Sequence, residues 1–68
     1  MTRIMLKNPY FEEEITVNET LSCIKDMLHY MEMGNLQYLI LQQLEPTETM
    51  ITINPKNFAK VEFYEEGD

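Results

Sequence analysis

Cysteine, glycine and basic residues are scarce in this 68-residue chain, and each scarcity excludes a class of protein. Cys23 is the only cysteine, so the chain forms no internal disulfide and offers no multi-cysteine zinc site. Two glycines, Gly34 and Gly67, are too few for a glycine-rich phosphate loop. Five basic residues against twelve acidic ones give a net charge of −7, which disfavours binding to nucleic acid or to an anionic membrane.

Long hydrophobic stretches are also missing. No run of aliphatic residues exceeds three, as in residues 39–41, so the sequence predicts no transmembrane helix. The first seven residues have too short an apolar core for a secretion signal. Together with a single unpaired thiol, these features predict a cytoplasmic protein. The hydrophobic content of 44% is nevertheless enough to build a core.

A helix over residues 18–33 is the clearest predicted element. Its apolar residues recur at spacings of four, three, four and three, which is typical of an amphipathic helix packed on one side. Thr16 and Glu19 fit a capping box, Asn18 is an alternative N-cap, and Gly34 is a natural stop. The stripe consists of Val17, Leu21, Ile24, Leu28 and Met31.

The remaining segments predict strands around this helix. Residues 1–17 form a strand or a hairpin interrupted at Pro9, residues 36–65 form a three-stranded meander, and residues 66–68 form a polar tail. The predicted fold is therefore α+β in one domain over residues 1–68. One amphipathic helix packs on an antiparallel sheet of three to five strands, in the order β(β)αβββ.

The strand predicted over residues 36–44 is apolar on both faces. Alternation places Leu36, Tyr38, Ile40 and Leu44 on one side, which we assign to the helix. Leu39 and Leu41 then emerge on the other side and need a cover, either the N-terminal segment or a second subunit, and the second case favours self-association. The predicted interface comprises Leu39, Leu41, Met50, Tyr10 and Phe11.

Acidic residues form two clusters near the two ends of the chain. If the first and last strands pair, the clusters merge into one negative patch that steers a basic partner. Ordinary solvated surface remains the alternative interpretation. The predicted patch comprises Glu12, Glu13, Glu14, Glu62, Glu65 and Glu66.

No constellation of residues predicts catalysis, a cofactor or a metal. His29 lies on the polar face of the predicted helix without a second placed group, so we interpret it as a surface residue. Cys23 lies at the border of the apolar stripe and is six residues from His29, a poor geometry for a nucleophile and its base. We therefore interpret Cys23 as a core residue.

These observations predict a small acidic, non-enzymatic protein-interaction module. The hypothesis is that it forms a homo-oligomer and binds a basic protein, which it inhibits or adapts, with no direct contact to nucleic acid or membrane. The first alternative is a small-ligand or metal-binding domain, with a pocket between helix and sheet lined by His29, Tyr30 and Tyr38. The second alternative is a structural subunit of a larger, phage-like assembly.

Overall fold

The computed structural model describes residues 1–66 and shows one helix packed on a five-stranded antiparallel sheet. The α+β fold class and the element order are therefore confirmed. Residues 67 and 68 of the predicted tail lie outside the described residues, whereas the Glu66 amide donates to the Met1 carbonyl at 3.0 Å. The elements are β1 (Thr2–Asn8), β2 (Phe11–Val17), α1 (Leu21–Glu32), β3 (Leu39–Glu45), β4 (Thr49–Ile53), the 3₁₀ turn η1 (Pro55–Asn57) and β5 (Lys60–Glu65).

The strands lie in the order β4-β3-β2-β1-β5, so the last strand pairs with the first. The N-terminal segment is a hairpin in which Asn8 lies opposite Phe11, and Ile4 lies between Ile15 of β2 and Phe63 of β5. The predicted three-stranded meander is wrong in one pairing, because β4 and β5 occupy opposite edges of the sheet. Short connections favour neighbouring pairs, but the β4–β5 connection crosses the sheet instead.

A narrow junction joins two hairpins into this sheet. Strands β2 and β3 pair only through Thr16 with Glu45 and Val17 with Gln43, and the register shifts between these two pairs. The Asn18 amide extends the junction by donating to the Gln42 carbonyl at 2.8 Å. The β2 segment before Thr16 therefore diverges from β3, and the gap between the hairpins opens on the side of the helix.

The junction determines which face of β3 is buried. Residues opposite one another in an antiparallel pair share a face, so Gln43 lies on the same face as Val17. Leu39 and Leu41 follow at two-residue steps and are 0% and 1% exposed, in the core with Ile24 of the helix. We call this side of the sheet the helix face and the opposite side the outer face.

The predicted facing of β3 is therefore wrong. Tyr38 and Ile40, which were assigned to the core, are 43% and 45% exposed, while Leu39 and Leu41 are buried. The prediction started the strand at Leu36, but β3 begins at Leu39. Leu36 and Tyr38 belong to the irregular segment before β3. Counting them as strand residues favoured the wrong assignment of the two faces.

The helix is shorter at its start than predicted, because its N-cap is Thr20. The Thr20 hydroxyl accepts a hydrogen bond from the Cys23 amide at 3.2 Å, and Val17 belongs to β2. The Thr16–Glu19 capping box is therefore wrong. The predicted stop is confirmed, since Gly34 follows the C-cap with φ +81°. No helix within residues 1–66 is long and apolar enough to cross a membrane.

Glu19 connects the start of the helix to the second hairpin. Its two carboxylate oxygens accept the Gln42 amide at 3.0 and 3.1 Å, which satisfies a backbone donor of β3 beyond the end of β2. The Glu19 carbonyl accepts the hydroxyl of buried Thr2 at 2.8 Å. One residue therefore anchors both hairpins beside the helix.

The core arrangement predicts that two neighbouring substitutions in β3 lower the free energy of unfolding by very different amounts. We expect Leu41→Ala to lower the free energy of unfolding by about 2–5 kcal/mol, because it leaves a cavity in the core. The matched change Ile40→Ala, at a side chain that is 45% exposed, should cost less than about 1 kcal/mol. Urea denaturation followed by circular dichroism measures both, and a larger loss for Ile40→Ala contradicts the assigned faces.

Candidate functional site

The outer face of the sheet divides into two regions of different chemistry. One region lies on β2, β1 and β5 and is rich in charged side chains, and the other lies on β3 and β4, where the side chains before Glu45 carry no charge. We call the first the charged ladder (Arg3, Lys7, Glu12, Glu14, Lys60 and Glu62) and the second the edge patch (Ile40, Gln42, Met50 and Thr52).

Lys7 lies at the centre of the charged ladder. Its ammonium Nζ is 2.7 Å from Glu62 Oε1 on β5 and 3.3 Å from Glu12 Oε1 on β2. The hydrogen bond with Lys7 lowers the pKa of Glu62 below its ordinary 4.5, and the same bond raises the pKa of Lys7 above its ordinary 10.5. Lys60 adds a second cation at 3.5 Å from Glu62 Oε2.

Arg3 lies on the same face of β1, four residues before Lys7. Its Nη1 is 3.8 Å from Glu14 Oε1, and its guanidinium lies 5.0 Å from the centre of the Tyr64 ring. Its Nε is 3.2 Å from Glu66 Oε1, close enough for an ion pair but not aligned as a hydrogen bond. Arg3 therefore contacts acidic side chains from both sides.

The two acidic clusters lie on the two strands that flank β1, so the cations of β1, Arg3 and Lys7, lie between them. Glu12, Glu14, Glu62 and Glu66 each lie within 4 Å of Arg3 or Lys7. Exposed pairs of this kind contribute little stability, but they neutralise the surface locally. The other two residues of the predicted patch, Glu13 and Glu65, belong to the helix face of the register.

The edge patch is the uncharged part of the outer face. Met50 is 68% exposed and Ile40 is 45% exposed, and they are diagonal neighbours because Ile40 lies opposite Thr52 and Gln42 lies opposite Met50. Exposed apolar side chains scattered singly are normal. Here they adjoin an open strand edge, which gives them a geometry suited to pairing with another strand.

The two edge strands of the sheet differ in charge. Strand β5 reads Lys-Val-Glu-Phe-Tyr-Glu, and charged side chains on an edge discourage pairing with another chain. Strand β4 reads Thr-Met-Ile-Thr-Ile and contains neither a charge nor a proline. Its free edge has no strand partner within residues 1–66. β4 therefore presents the less protected template for strand addition.

The residues of the predicted interface lie in three different places. Leu39 and Leu41 are in the core and offer no surface, Met50 is on the edge patch, and Tyr10 and Phe11 are at the tip of the β1–β2 hairpin. Tyr10 is 97% exposed and Phe11 is 51% exposed. The structure therefore does not bring these five residues into one surface.

The pocket predicted from His29, Tyr30 and Tyr38 is not where the structure has its cavities. All three side chains are exposed, and none of them lines the cavity beside Ile15 or the one between Leu28 and Pro55. Cys23, predicted to be a core residue, is exposed on the helix. Residues 1–66 contain no group of three or more His, Cys, Asp or Glu side chains placed to hold a metal ion.

Ile40, Gln42 and Thr52 are the residues of the edge patch that the sequence prediction missed. Ile40 was assigned to the core by alternation alone, which does not tell which face of a strand meets the helix when both faces carry apolar residues. One available signal was the absence of charge from residues 49–53, since an uncharged strand at an edge is unusual and a charged one is typical.

No protein-family model matches this chain, and no match is found among curated proteins or among solved structures.

The charged ladder predicts a pH-dependent contribution from Glu62. Its pKa is lowered in the folded state, so its contribution to stability is present above the unfolded value near 4.5 and is lost as the pH falls through the folded value. We expect carbon-detected NMR titration to place the Glu62 carboxyl below 4.5. We also expect Lys7→Met to raise this pKa, because it removes the nearest ammonium.

The matched control is Lys25→Met, which removes the same charge from the exposed side of the helix. This variant should leave the Glu62 titration unchanged. A Glu62 pKa at or above 4.5, or one that responds equally to both lysine substitutions, contradicts the assigned ion pair.

Proposed function

We propose that the protein is a non-enzymatic protein-interaction module that self-associates through strand β4. The observation that carries the proposal is the uncharged, five-residue edge strand with Met50 exposed beside Ile40. Addition of a strand to an open sheet edge gives affinity through backbone hydrogen bonds, and adjacent side chains give it specificity. A second copy supplies a matching strand without any further partner.

A symmetric pairing of two β4 strands satisfies the geometry of the sheet. A two-fold axis perpendicular to the sheet makes the strands antiparallel and keeps the outer face of one copy continuous with that of the other. Centred on Ile51, it places Met50 opposite Thr52 of the second copy. Both edge patches then join into one surface of twice the width.

Charge favours this antiparallel arrangement over a parallel one. Glu48 directly precedes β4 and Asn54 directly follows it, so antiparallel pairing places Glu48 opposite Asn54 of the second copy. A parallel pairing in register would oppose two Glu48 carboxylates, and like charges directly opposite one another are destabilising. The charged ladder lies at the far side of the sheet and stays clear of the contact.

The same module is proposed to bind a basic protein in the cytoplasm and to inhibit or adapt it. The net charge of −7 supports a basic partner, since complementary charge mainly accelerates encounter. Glu45 and Glu48 flank the loop next to the edge patch and form no ion pair with other residues in 1–66. An exposed, unpaired thiol at Cys23 supports a reducing compartment.

Self-association through β4 predicts a specific effect of a lysine on that edge. We expect the unmodified chain to sediment at twice its mass of 8.1 kDa and Thr52→Lys to sediment as a monomer. The substitution places two ammonium groups close to the two-fold axis and exposes a charge on the edge strand. Sedimentation equilibrium over a range of protein concentrations measures the mass and the dissociation constant.

Ala59→Lys provides the matched control, because Ala59 is exposed and lies directly before β5 at the opposite edge. It changes the net charge equally and should leave the dimer intact, while circular dichroism verifies that both variants fold. A monomeric unmodified chain, or a Thr52→Lys variant that remains dimeric, refutes the proposed contact.

A further inference from the structure

A cavity of about 290 Å³ lies where the two hairpins diverge on the helix face. The divergence follows from the junction, because β2 pairs with β3 only at Thr16 and Val17 and leaves a gap beside Ile15. Leu6 and Ile15 form one wall, and Ile53 and Phe58 form the other. This apolar lining is continuous with the core, since three of these side chains are buried and Phe58 packs against them.

Gln43 supplies a fixed polar group to the cavity. Its side chain lines the space and the residue is only 8% exposed. The Nε2 donates to the Thr47 carbonyl at 2.7 Å, which fixes the orientation of the amide. Its Oε1 accepts no hydrogen bond from the residues that the structure describes. Arg3 Nε is the one buried side-chain polar atom without a partner among residues 1–66, so the Gln43 oxygen is reachable from the cavity and can accept an incoming N–H group.

Glu13 supplies a negative charge at the rim of the same cavity. It lies opposite Leu6 in the β1–β2 register and therefore on the helix face, while its neighbours Glu12 and Glu14 lie on the outer face. Both neighbours are near cations, at 3.3 Å from Lys7 and 3.8 Å from Arg3. Glu13 forms no ion pair among residues 1–66, so its charge is available to a ligand.

We propose that this cavity binds a small organic cation, a primary ammonium on a short apolar body. The body contacts the apolar walls at Ile15 and Phe58, and the ammonium donates to Gln43 Oε1 and to the Glu13 carboxylate. The volume is near the lower end of typical ligand pockets, about 300–1,000 Å³, which favours a compact ligand. An anion of the same shape meets repulsion from Glu13.

One segment borders the cavity and favours a compact ligand over a long one. Residues 54–59 cross the helix face between the two sheet edges, and Asn57 and Phe58 border the cavity. The Ala59 amide donates to Asn8 Oδ1 at 3.2 Å, and the Lys56 amide donates to Asn54 Oδ1 at 3.1 Å. The first bond ties the end of the crossing segment to β1, and the second caps the local turn at its start.

Three probes of one shape and different charge test the inference on the full 68-residue chain. Cyclohexylammonium, cyclohexanol and cyclohexanecarboxylate are each titrated into ¹⁵N-labelled protein while amide shifts are recorded. We expect saturable shifts from the ammonium at the amides of Leu6, Ile15 and Ile53. Its affinity should exceed that of the alcohol by roughly fivefold, the effect expected of one exposed charge pair.

Glu13→Gln and Glu14→Gln separate a local effect from the overall acidity of the chain. Both remove one negative charge, but only Glu13 lines the cavity. Glu13→Gln should abolish the preference for the ammonium over the alcohol, and Glu14→Gln should preserve it. Equal binding of all three probes, shifts that map elsewhere, or equal losses in both variants overturn the inference. Glu13 and Glu14 lie on β2, outside the β4 contact with a second copy, so failure of the charge preference leaves the self-association proposal standing.

Discussion

The short junction between β2 and β3 is the constraint on which the rest of the structure depends. Because Val17 lies opposite Gln43, the alternate residues Leu39 and Leu41 face the helix and form the core. Because pairing ends at Thr16, the hairpins diverge and leave the cavity beside Ile15. The same register turns Ile40 and Met50 outward, next to an open edge. Buried face, cavity and exposed patch are thus consequences of two residue pairs.

Electrostatics divides the outer face in a way that composition does not reveal. The chain has a net charge of −7, yet the acidic residues of β2 and β5 lie on both sides of the cations of β1. Lys7 and Arg3 therefore neutralise the region in which the acidic residues are most concentrated along the chain. The uncharged region on β3 and β4 stands out by contrast. Charged side chains protect the β5 edge and are absent from the β4 edge, so the β4 edge is better suited to association.

Local patterns predicted the elements of the fold but not the contacts between distant ones. The helix followed from its apolar spacing, and β5 followed from the alternation of Val61 and Phe63, because both signals are local. The pairing of β5 with β1 joins residues far apart in sequence, and no local rule indicates it. The facing of β3 was mispredicted because Leu39, Ile40 and Leu41 are equally apolar, so only the junction decides between them. Met50 was the one residue of the edge patch that the sequence prediction placed at an interface, while Glu13 was assigned to a different surface.

The most direct test of self-association through β4 is to detect contacts between the β4 strands of two copies. A sample mixed from ¹³C-labelled and unlabelled chains, recorded with isotope-filtered NMR, shows only contacts between copies. We expect cross-peaks from Met50 to Thr52 and from Ile51 to itself in the second copy, and none from β5. Cross-peaks that involve β5 or the helix surface, or none at protein concentrations where dimer is present, would contradict the assignment of β4 as the interface.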